Sequence, residues 1–165
     1  MNSRRKIHFR KDAFVKKIIS AFAIAILGFV FLNMAFLLDA LFQGAIDRLI
    51  RPFAQGEFNM ELSWFPPLKH FFFVLLVFGL FFLAVKSKLN LLLKASLATV
   101  PLATAFVTIG IFLHRWPVFS YLSGALFGTG VFLYLKRTKQ PWQYYCALLL
   151  TGIAMFLVAV TGTDI

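Results

Sequence analysis

The residues that most often carry out chemistry are few in this 165-residue chain, and they lie far apart in its sequence. Three histidines (His8, His70 and His114) and one cysteine (Cys146) stand beside six Asp and Glu residues. The sequence contains no HExxH motif, no CxxC pair and no pair of acids within an apolar run, which metal, redox and proton-transfer chemistry commonly use. A single cysteine also excludes a disulfide within the chain. The sequence therefore predicts no catalytic residue, no cofactor-binding residue and no metal ligand.

One set of metal ligands without a recognised spacing stays open as an alternative. His70 and His114, with Glu57 and Glu61 from the segment between the first two apolar runs, would have to converge from separate parts of the chain. Histidines at the edge of a membrane more often contact water.

The composition indicates a membrane protein. Hydrophobic residues make up 61% of the chain, charged residues only 14%, and the mean hydropathy is +0.84. A soluble domain carries roughly a quarter charged residues. The net charge of +11 comes from Lys and Arg at the ends of apolar runs, where such residues set topology and contact anionic lipid heads. We therefore expect a lipid partner at the cytoplasmic face and no nucleic acid.

Five apolar runs predict an all-α integral membrane protein with five transmembrane helices. The predicted spans are 18–38, 68–85, 91–113, 118–135 and 142–161. Residues 1–17 form a basic arm, and 18–165 form a single five-helix domain. Residues 39–69 are its one long extracytoplasmic loop.

The first part of that loop has the pattern of an amphipathic helix over 39–51. Its apolar positions repeat at a helical period, whereas Asp39, Asp47 and Arg51 fall on the other face. We expect this outer-surface helix to continue the first span past a bend at 43–44 and to end at Arg51, before Pro52. Residues 55–63 read as a loop, and Trp64 is expected at the membrane interface.

Charge counting predicts the orientation. The arm and the second and fourth loops carry thirteen Lys and Arg residues, and the first and third loops carry four. The positive-inside rule places the N-terminus in the cytoplasm and the C-terminus outside a plasma membrane.

Small residues in the fourth span predict close helix contacts. Ser120, Gly124 and Gly128 recur every fourth residue, and Ser123 and Gly130 form a second small-residue face. Two such faces predict that the fourth helix is the centre of the bundle. The third span has its own stripe at Ala95, Thr99 and Ala103, with a kink expected at Pro101.

Four polar residues inside the spans are candidates for contacts within the membrane. They are Asn33, Thr99, Thr104 and Thr108. Asn33 is expected to face the bundle, because an intramembrane amide is unfavourable unless it is paired. A transporter would bring the four around a hydrated cavity, whereas a scaffold would bury them in dry helix contacts.

The order of a long first loop, Ser63-Trp64-Phe65-Pro66-Pro67 and an aromatic helix is similar to that in tryptophan-rich sensory proteins, the translocator family. The similarity covers five residues, and Leu89-Asn90-Leu91 departs from that family's third-helix stretch. It does not assign the chain to the family, but it keeps small-ligand binding open as an alternative.

The function that these patterns favour is an accessory, assembly or regulatory subunit of a membrane complex, with a membrane-protein partner or a homo-oligomer. A small transporter or channel component is the first alternative. A membrane-embedded enzyme is the second.

Overall fold

Five α-helices, and no strand, make up the part of the chain that the structure describes. This computed structural model describes the backbone of residues 3–54 and 65–161 and the side chains of residues 14–49 and 67–161. The helices are α1 (Ser3–Ala54), α2 (Phe65–Lys86), α3 (Leu91–Leu113), α4 (Pro117–Arg137) and α5 (Trp142–Thr161). Each contains a stretch long and apolar enough to cross a membrane. The prediction of an all-α membrane protein with five spans is confirmed.

Several predictions fall on residues outside this range. They concern the loop over 55–63, the depth of Trp64, the side chains of the basic arm before residue 14 and the side chain of Arg51.

α1 is a single helix of 52 residues, about 78 Å long at about 1.5 Å per residue. It joins the predicted arm, first span and outer-surface helix without a break in the helix at 43–44. One glycine, Gly44, does not end it, since glycine inside a helix lowers stability by only about 1 kcal/mol. Its apolar stretch, Phe14–Leu49, has 36 residues, whereas a span needs about 20. α1 must therefore tilt or extend beyond the hydrocarbon layer.

The centre of the bundle is α3, and the prediction that α4 is the centre is wrong. α3 contacts all four other helices, whereas α4 contacts only α3 and α5. In the most apolar 18-residue stretch of α3, 39% of the residues are buried, against 6% in α4. The small side chains of α3 explain this position, because they let neighbouring backbones approach from several sides. Its buried residues are Ala95, Ser96, Ala98, Thr99, Pro101, Ala103 and Thr104.

α1 and α3 run parallel with a constant register. Ile24 clusters with Ala95, and a Cβ added at Gly28 would lie 3.0 Å from Thr99. In each of these pairs the α3 residue comes 71 positions after the α1 residue. Ala147 of α5 completes the cluster of buried residues with Ile24 and Ala95. Gly28 lies where α1 meets α3, and a side chain there would require Thr99 to shift by a few tenths of an ångström.

α1 contacts α5 as well as α3, and it also contacts the beginning of α2. Asp47 Oδ1 forms an ion pair with Lys69 Nζ at 2.8 Å, and the Phe42 and Phe73 rings lie 6.2 Å apart. Phe73 is buried. The predicted outer-surface segment is thus helical, and it is docked on α2 within the protein.

One end of the bundle carries the two tight turns that are rich in Lys and Arg, and it is called the basic end below. Lys86 and Lys88 flank the α2–α3 turn, and Lys136, Arg137 and Lys139 flank the α4–α5 turn. Asn90 caps α3, since its side chain accepts a hydrogen bond from Leu93 N at 2.8 Å. The α3–α4 turn, with His114 and Trp116, lies at the opposite end.

At the basic end, a residue in the left-handed conformation follows the end of α4. Lys139 has φ 51°, and Gln140 N donates to Leu135 O at 3.0 Å. This six-residue bond is that of a Schellman motif, in which glycine usually takes the left-handed position.

Candidate functional site

The buried hydroxyl groups of the core donate to carbonyl oxygens of their own helices. Thr99 donates to Ser96 O at 2.7 Å and Thr104 to Val100 O at 2.9 Å, both on α3. Ser96 on α3 and Thr151 on α5 do the same with Leu92 O and Ala147 O. Each hydroxyl proton is therefore satisfied without a ligand or a second helix. The predicted contact residues Thr99 and Thr104 are buried in helix packing.

Thr108, the third predicted threonine, forms a side-chain hydrogen bond between α2 and α3. Its Oγ1 lies 3.0 Å from His70 Nε2, and it donates to Thr104 O at 2.6 Å. The single hydroxyl proton is used in the second bond, so His70 must be the donor in the first. The chain of bonds from His70 through Thr108 to Thr104 fixes α2 against α3 near the opposite end. A second polar contact, from Lys94 Nζ of α3 to Val85 O of α2 at 2.6 Å, joins the same helices at the basic end.

Asp39 lies on the face of α1 that is directed toward the bundle. This face includes the buried Ile24 and Gly28 and continues through the half-buried Ala35, Asp39 and Phe42 at helical spacing. Asp39 Oδ2 accepts a hydrogen bond from Gln43 Nε2 at 3.0 Å. Its Oδ1 is buried and has no hydrogen-bond partner among the described residues. This oxygen is an unusual polar feature of the bundle, because buried oxygens are nearly always paired.

The prediction that Asn33 faces the bundle is wrong. Asn33 is exposed, and its Nδ2 donates to Phe29 O of the same helix at 2.8 Å. The physical reason is the helical period: Ala35 faces the bundle, and two residues correspond to a rotation of about 200°. Asn33 therefore projects away from α3.

The four predicted polar residues do not line one cavity. Thr99 and Thr104 are buried in the core, Thr108 is bonded to His70, and Asn33 lies on the outer face of α1. Two of the open apolar grooves on the described surface contain none of the three threonines, and Asn33 borders one of them.

One of these grooves has a volume of about 340 Å³ and lies between α4 and α5, with Phe106 of α3 at its floor. Gly128 of α4 and Gly152 of α5 stand on its two walls. A Cβ added at Gly152 would meet nothing within 4 Å, and one at Gly128 would meet only the Phe106 ring, at 3.8 Å. The remaining lining residues are Leu148, Leu149, Ile153, Phe156 and Leu157.

The predicted packing residues of α4 have different surroundings. A Cβ at Gly124 would lie 3.7 Å from the Phe106 ring, which is ordinary contact, whereas one at Gly130 would meet nothing within 4 Å. Ser120 and Ser123 are half-buried. Of these three glycines, Gly124 and Gly128 lie beside Phe106 of α3, and Gly130 does not.

The residues capable of metal or nucleophile chemistry are dispersed. Among the described residues, no three His, Cys, Asp or Glu side chains lie close enough to hold a metal ion. His114 Nδ1 lies 2.9 Å from Ile111 O of its own helix, and Cys146 is half-buried next to the core of α5. Glu57 and Glu61 of the alternative ligand set lie outside the described range.

Sequence reasoning missed two of these polar features. His70 was assigned to interfacial water, and Asp39 to the water-facing side of a surface helix. No spacing rule signals that His70 and Thr108, 38 residues apart, come together. The half-buried position of Asp39 could have been found by extending the Ile24–Gly28 spacing along α1.

Comparison with protein-family models, curated proteins and solved structures finds no match to this chain. The architecture therefore rests on the chain's own residues: it is an all-α polytopic membrane protein with five candidate spans.

Proposed function

We propose that the chain is an accessory, assembly or regulatory subunit of a membrane complex, and that it binds its partner through the groove between α4 and α5. The observation that carries this proposal is a pair of glycines on the two walls of an apolar groove. A Cβ added at Gly152 would meet nothing within 4 Å, and one at Gly128 would meet the Phe106 ring at 3.8 Å. Helices associate in lipid mainly through close packing, and glycine permits the closest approach of two backbones.

The packing of α4 supports this surface. α4 is the least buried of the five candidate spans, and it contacts two helices where α3 contacts four. On the side of α4 that carries Gly128, the residue one turn further on, Phe132, is apolar and 46% exposed. A further helix on this side would cover α4 and fill the groove above Phe106.

The core supports a structural role over a conducting one. Its hydroxyl groups are bonded to their own backbones, which is the dry packing expected of a scaffold. A path for a polar solute would instead present such groups to a hydrated cavity.

The test is recovery of the partner with a variant that leaves the fold intact. Gly152→Leu adds a side chain where nothing lies within 4 Å of the new Cβ, so the monomer should unfold at the unchanged temperature. The tagged protein is extracted from its native membrane in mild detergent, and co-purifying integral membrane proteins are identified by mass spectrometry. We expect a stoichiometric partner with the unaltered protein and at least a tenfold lower recovery with Gly152→Leu.

Gly79→Leu is the matched control. Gly79 lies on α2, away from the groove, and a Cβ there also meets nothing within 4 Å. Partner recovery should be unchanged. Equal recovery with both variants would reject the groove as the interface, and the absence of any stoichiometric partner would reject the accessory role.

The proposal includes the orientation, with the basic end in the cytoplasm of a plasma membrane. Single cysteines at Lys88, Lys139 and Arg115, in a Cys146→Ala background, test it by labelling with a membrane-impermeant maleimide. Lys88→Cys and Lys139→Cys should label only after permeabilisation, and Arg115→Cys in intact cells. The reverse pattern would invert the topology.

A further inference from the structure

We infer that α1 is also a self-association surface, on which Asn33 of one copy pairs with Asn33 of a second copy of this chain. The juxtaposition that carries this inference is an exposed amide at mid-membrane depth beside an apolar depression on the same helix. It is independent of the proposed function, because the groove between α4 and α5 contains no α1 residue.

The depth of Asn33 follows from the register of α1 and α3. With the offset of 71 residues set by Ile24–Ala95 and Gly28–Thr99, Asn33 is level with Thr104. Thr104 is near the middle of α3, which runs from Leu91 to Leu113. Asn33 is therefore close to the centre of the hydrocarbon layer, where water does not satisfy polar groups.

The amide of Asn33 has capacity for a further partner. One Nδ2 hydrogen is used by Phe29 O, and the other points to no acceptor in the described part of the chain. Oδ1 accepts no hydrogen bond from any described residue. In lipid, an unsatisfied carbonyl oxygen is unfavourable by several kcal/mol, so this face favours an occupant that can both donate and accept.

The surface around Asn33 has the form that receives a helix. Val30, Asn33, Met34 and Leu37 border a depression of about 330 Å³, together with Phe29. Four residues at positions i, i+3, i+4 and i+7 form the hole that a side chain of a facing helix enters in a coiled coil.

A seam with heptad spacing shares Phe29 and Asn33 with this depression. Its positions are separated alternately by four and three residues, and all of them are exposed: Phe22, Ile26, Phe29, Asn33, Phe36 and Ala40. This is the alternating spacing of a left-handed helix pair. The bundle-facing stripe through Ile24, Gly28 and Ala35 lies on the other side of α1, so both surfaces can be occupied at once.

A second copy fits this seam because the seam is self-complementary. It carries no charge that would require an opposite charge, and its one polar group is an amide, which is both donor and acceptor. Two copies inserted in the same orientation place α1 parallel to α1, so equal residues meet across a two-fold axis. A single Asn in such a seam fixes the register of two parallel helices.

The test uses the full-length Cys146→Ala protein in vesicles containing anionic lipid, which counteracts repulsion between the two basic segments. Cysteines are placed singly at Phe29 and Phe36, on the seam, and at Leu75, an exposed residue of α2. Oxidative cross-linking should give covalent dimers at Phe29 and Phe36, at least fivefold more than at Leu75. Equal cross-linking at the three positions, or none at the seam, would overturn the inference.

A second variant separates the amide from the apolar contacts. Asn33→Leu keeps a similar size and removes both hydrogen-bonding groups, whereas Asn33→Gln retains them. By single-molecule photobleaching, Asn33→Leu should lower the dimer fraction at least fivefold, and Asn33→Gln should keep most of it. An unchanged dimer fraction in Asn33→Leu, or a wild-type protein that is monomeric at every protein-to-lipid ratio, would overturn the inference. Partner recovery through Gly152 is a separate measurement, so failure of one proposal does not affect the other.

Discussion

His70 Nε2 donates to Thr108 Oγ1 across 3.0 Å, and this contact joins α2 to the central helix α3. The direction of the bond follows from Thr108, whose own proton is donated to Thr104 O. α2 also has an ion pair with α1, Lys69–Asp47, and accepts a hydrogen bond from Lys94 Nζ of α3 at Val85 O. Its buried apolar residues include Phe73 and Val77. The His70–Thr108 bond therefore contributes to the register of α2 against α3.

We expect removal of this hydrogen bond to destabilise the bundle by a small amount. Interhelical hydrogen bonds in membranes contribute about 0.6 kcal/mol on average and about 1.7 at most. A double-mutant cycle with His70→Phe and Thr108→Val should give a coupling energy of about 0.5–1.5 kcal/mol by titration with denaturing detergent.

His114→Phe is the control for this cycle. His114 contacts a carbonyl of its own helix, so its coupling to Thr108→Val should be close to zero. A coupling as large as that of His70 would show that the Thr108 variant has a general effect on folding.

The five spans were predictable, because a run of about 20 apolar residues has few other structural solutions. The position of α3 at the centre of the bundle was not predictable from the sequence, for a physical reason. Small residues permit contact but do not select a partner, and both α3 and α4 carry them. What distinguishes α3 is that Ala95, Thr99 and Ala103 all lie among buried neighbours, whereas a Cβ at Gly130 of α4 would meet open space.

The face of Asn33 was mispredicted for a related reason. The expectation that an intramembrane amide faces the bundle assumes that the chain supplies its partner. The bundle-facing stripe of α1 is set by Ile24 and Gly28, which bring α1 closest to α3. Asn33 falls on the other side of the helix as a consequence of that packing.

Gly28 and Gly79 form a matched pair for testing the α1–α3 contact. A Cβ at Gly28 would lie 3.0 Å from Thr99 Cγ2 and Oγ1, whereas a Cβ at Gly79 would meet nothing within 4 Å. Gly28→Ala should lower the stability by about 1–3 kcal/mol through overpacking. Gly79→Ala should raise it slightly, since alanine favours helix. Thermal unfolding in detergent, followed by tryptophan fluorescence, measures both, and equal midpoints would contradict the contact.

Lys139 provides a test of backbone strain at the end of α4. Its φ of 51° is left-handed, a conformation that is unfavourable by roughly 1–2 kcal/mol for residues with a Cβ. Lys139→Gly should therefore stabilise the protein by about 1 kcal/mol. Lys139→Ala removes the same charge and retains the Cβ, so the difference between the two variants isolates the backbone effect. A more stable alanine variant would contradict this assignment.

Asp39 is a half-buried residue with one buried carboxylate oxygen that has no partner among the described residues. Only one of its two carboxylate oxygens has a partner, Gln43 Nε2 at 3.0 Å, and the buried Oδ1 has none among the residues described. An unpaired polar atom in this setting lowers stability by about 1–3 kcal/mol. Asp39→Asn keeps the shape, preserves an acceptor for Gln43 and removes the charge, so we expect a gain of about 1 kcal/mol in the unfolding free energy.

A substitution at Gln43, which donates the hydrogen bond to Asp39, tests the same carboxylate. Gln43→Leu removes the donor and should lower stability in the unaltered protein, but less in Asp39→Asn, because the remaining group is then uncharged. Both effects are measured by titration with denaturing detergent. A loss of stability in Asp39→Asn would contradict the expectation and show that the carboxylate has a favourable partner. Stabilisation of the unaltered protein, but not of Asp39→Asn, by Na⁺ or Ca²⁺ would then identify that partner as a cation, as in a transporter component.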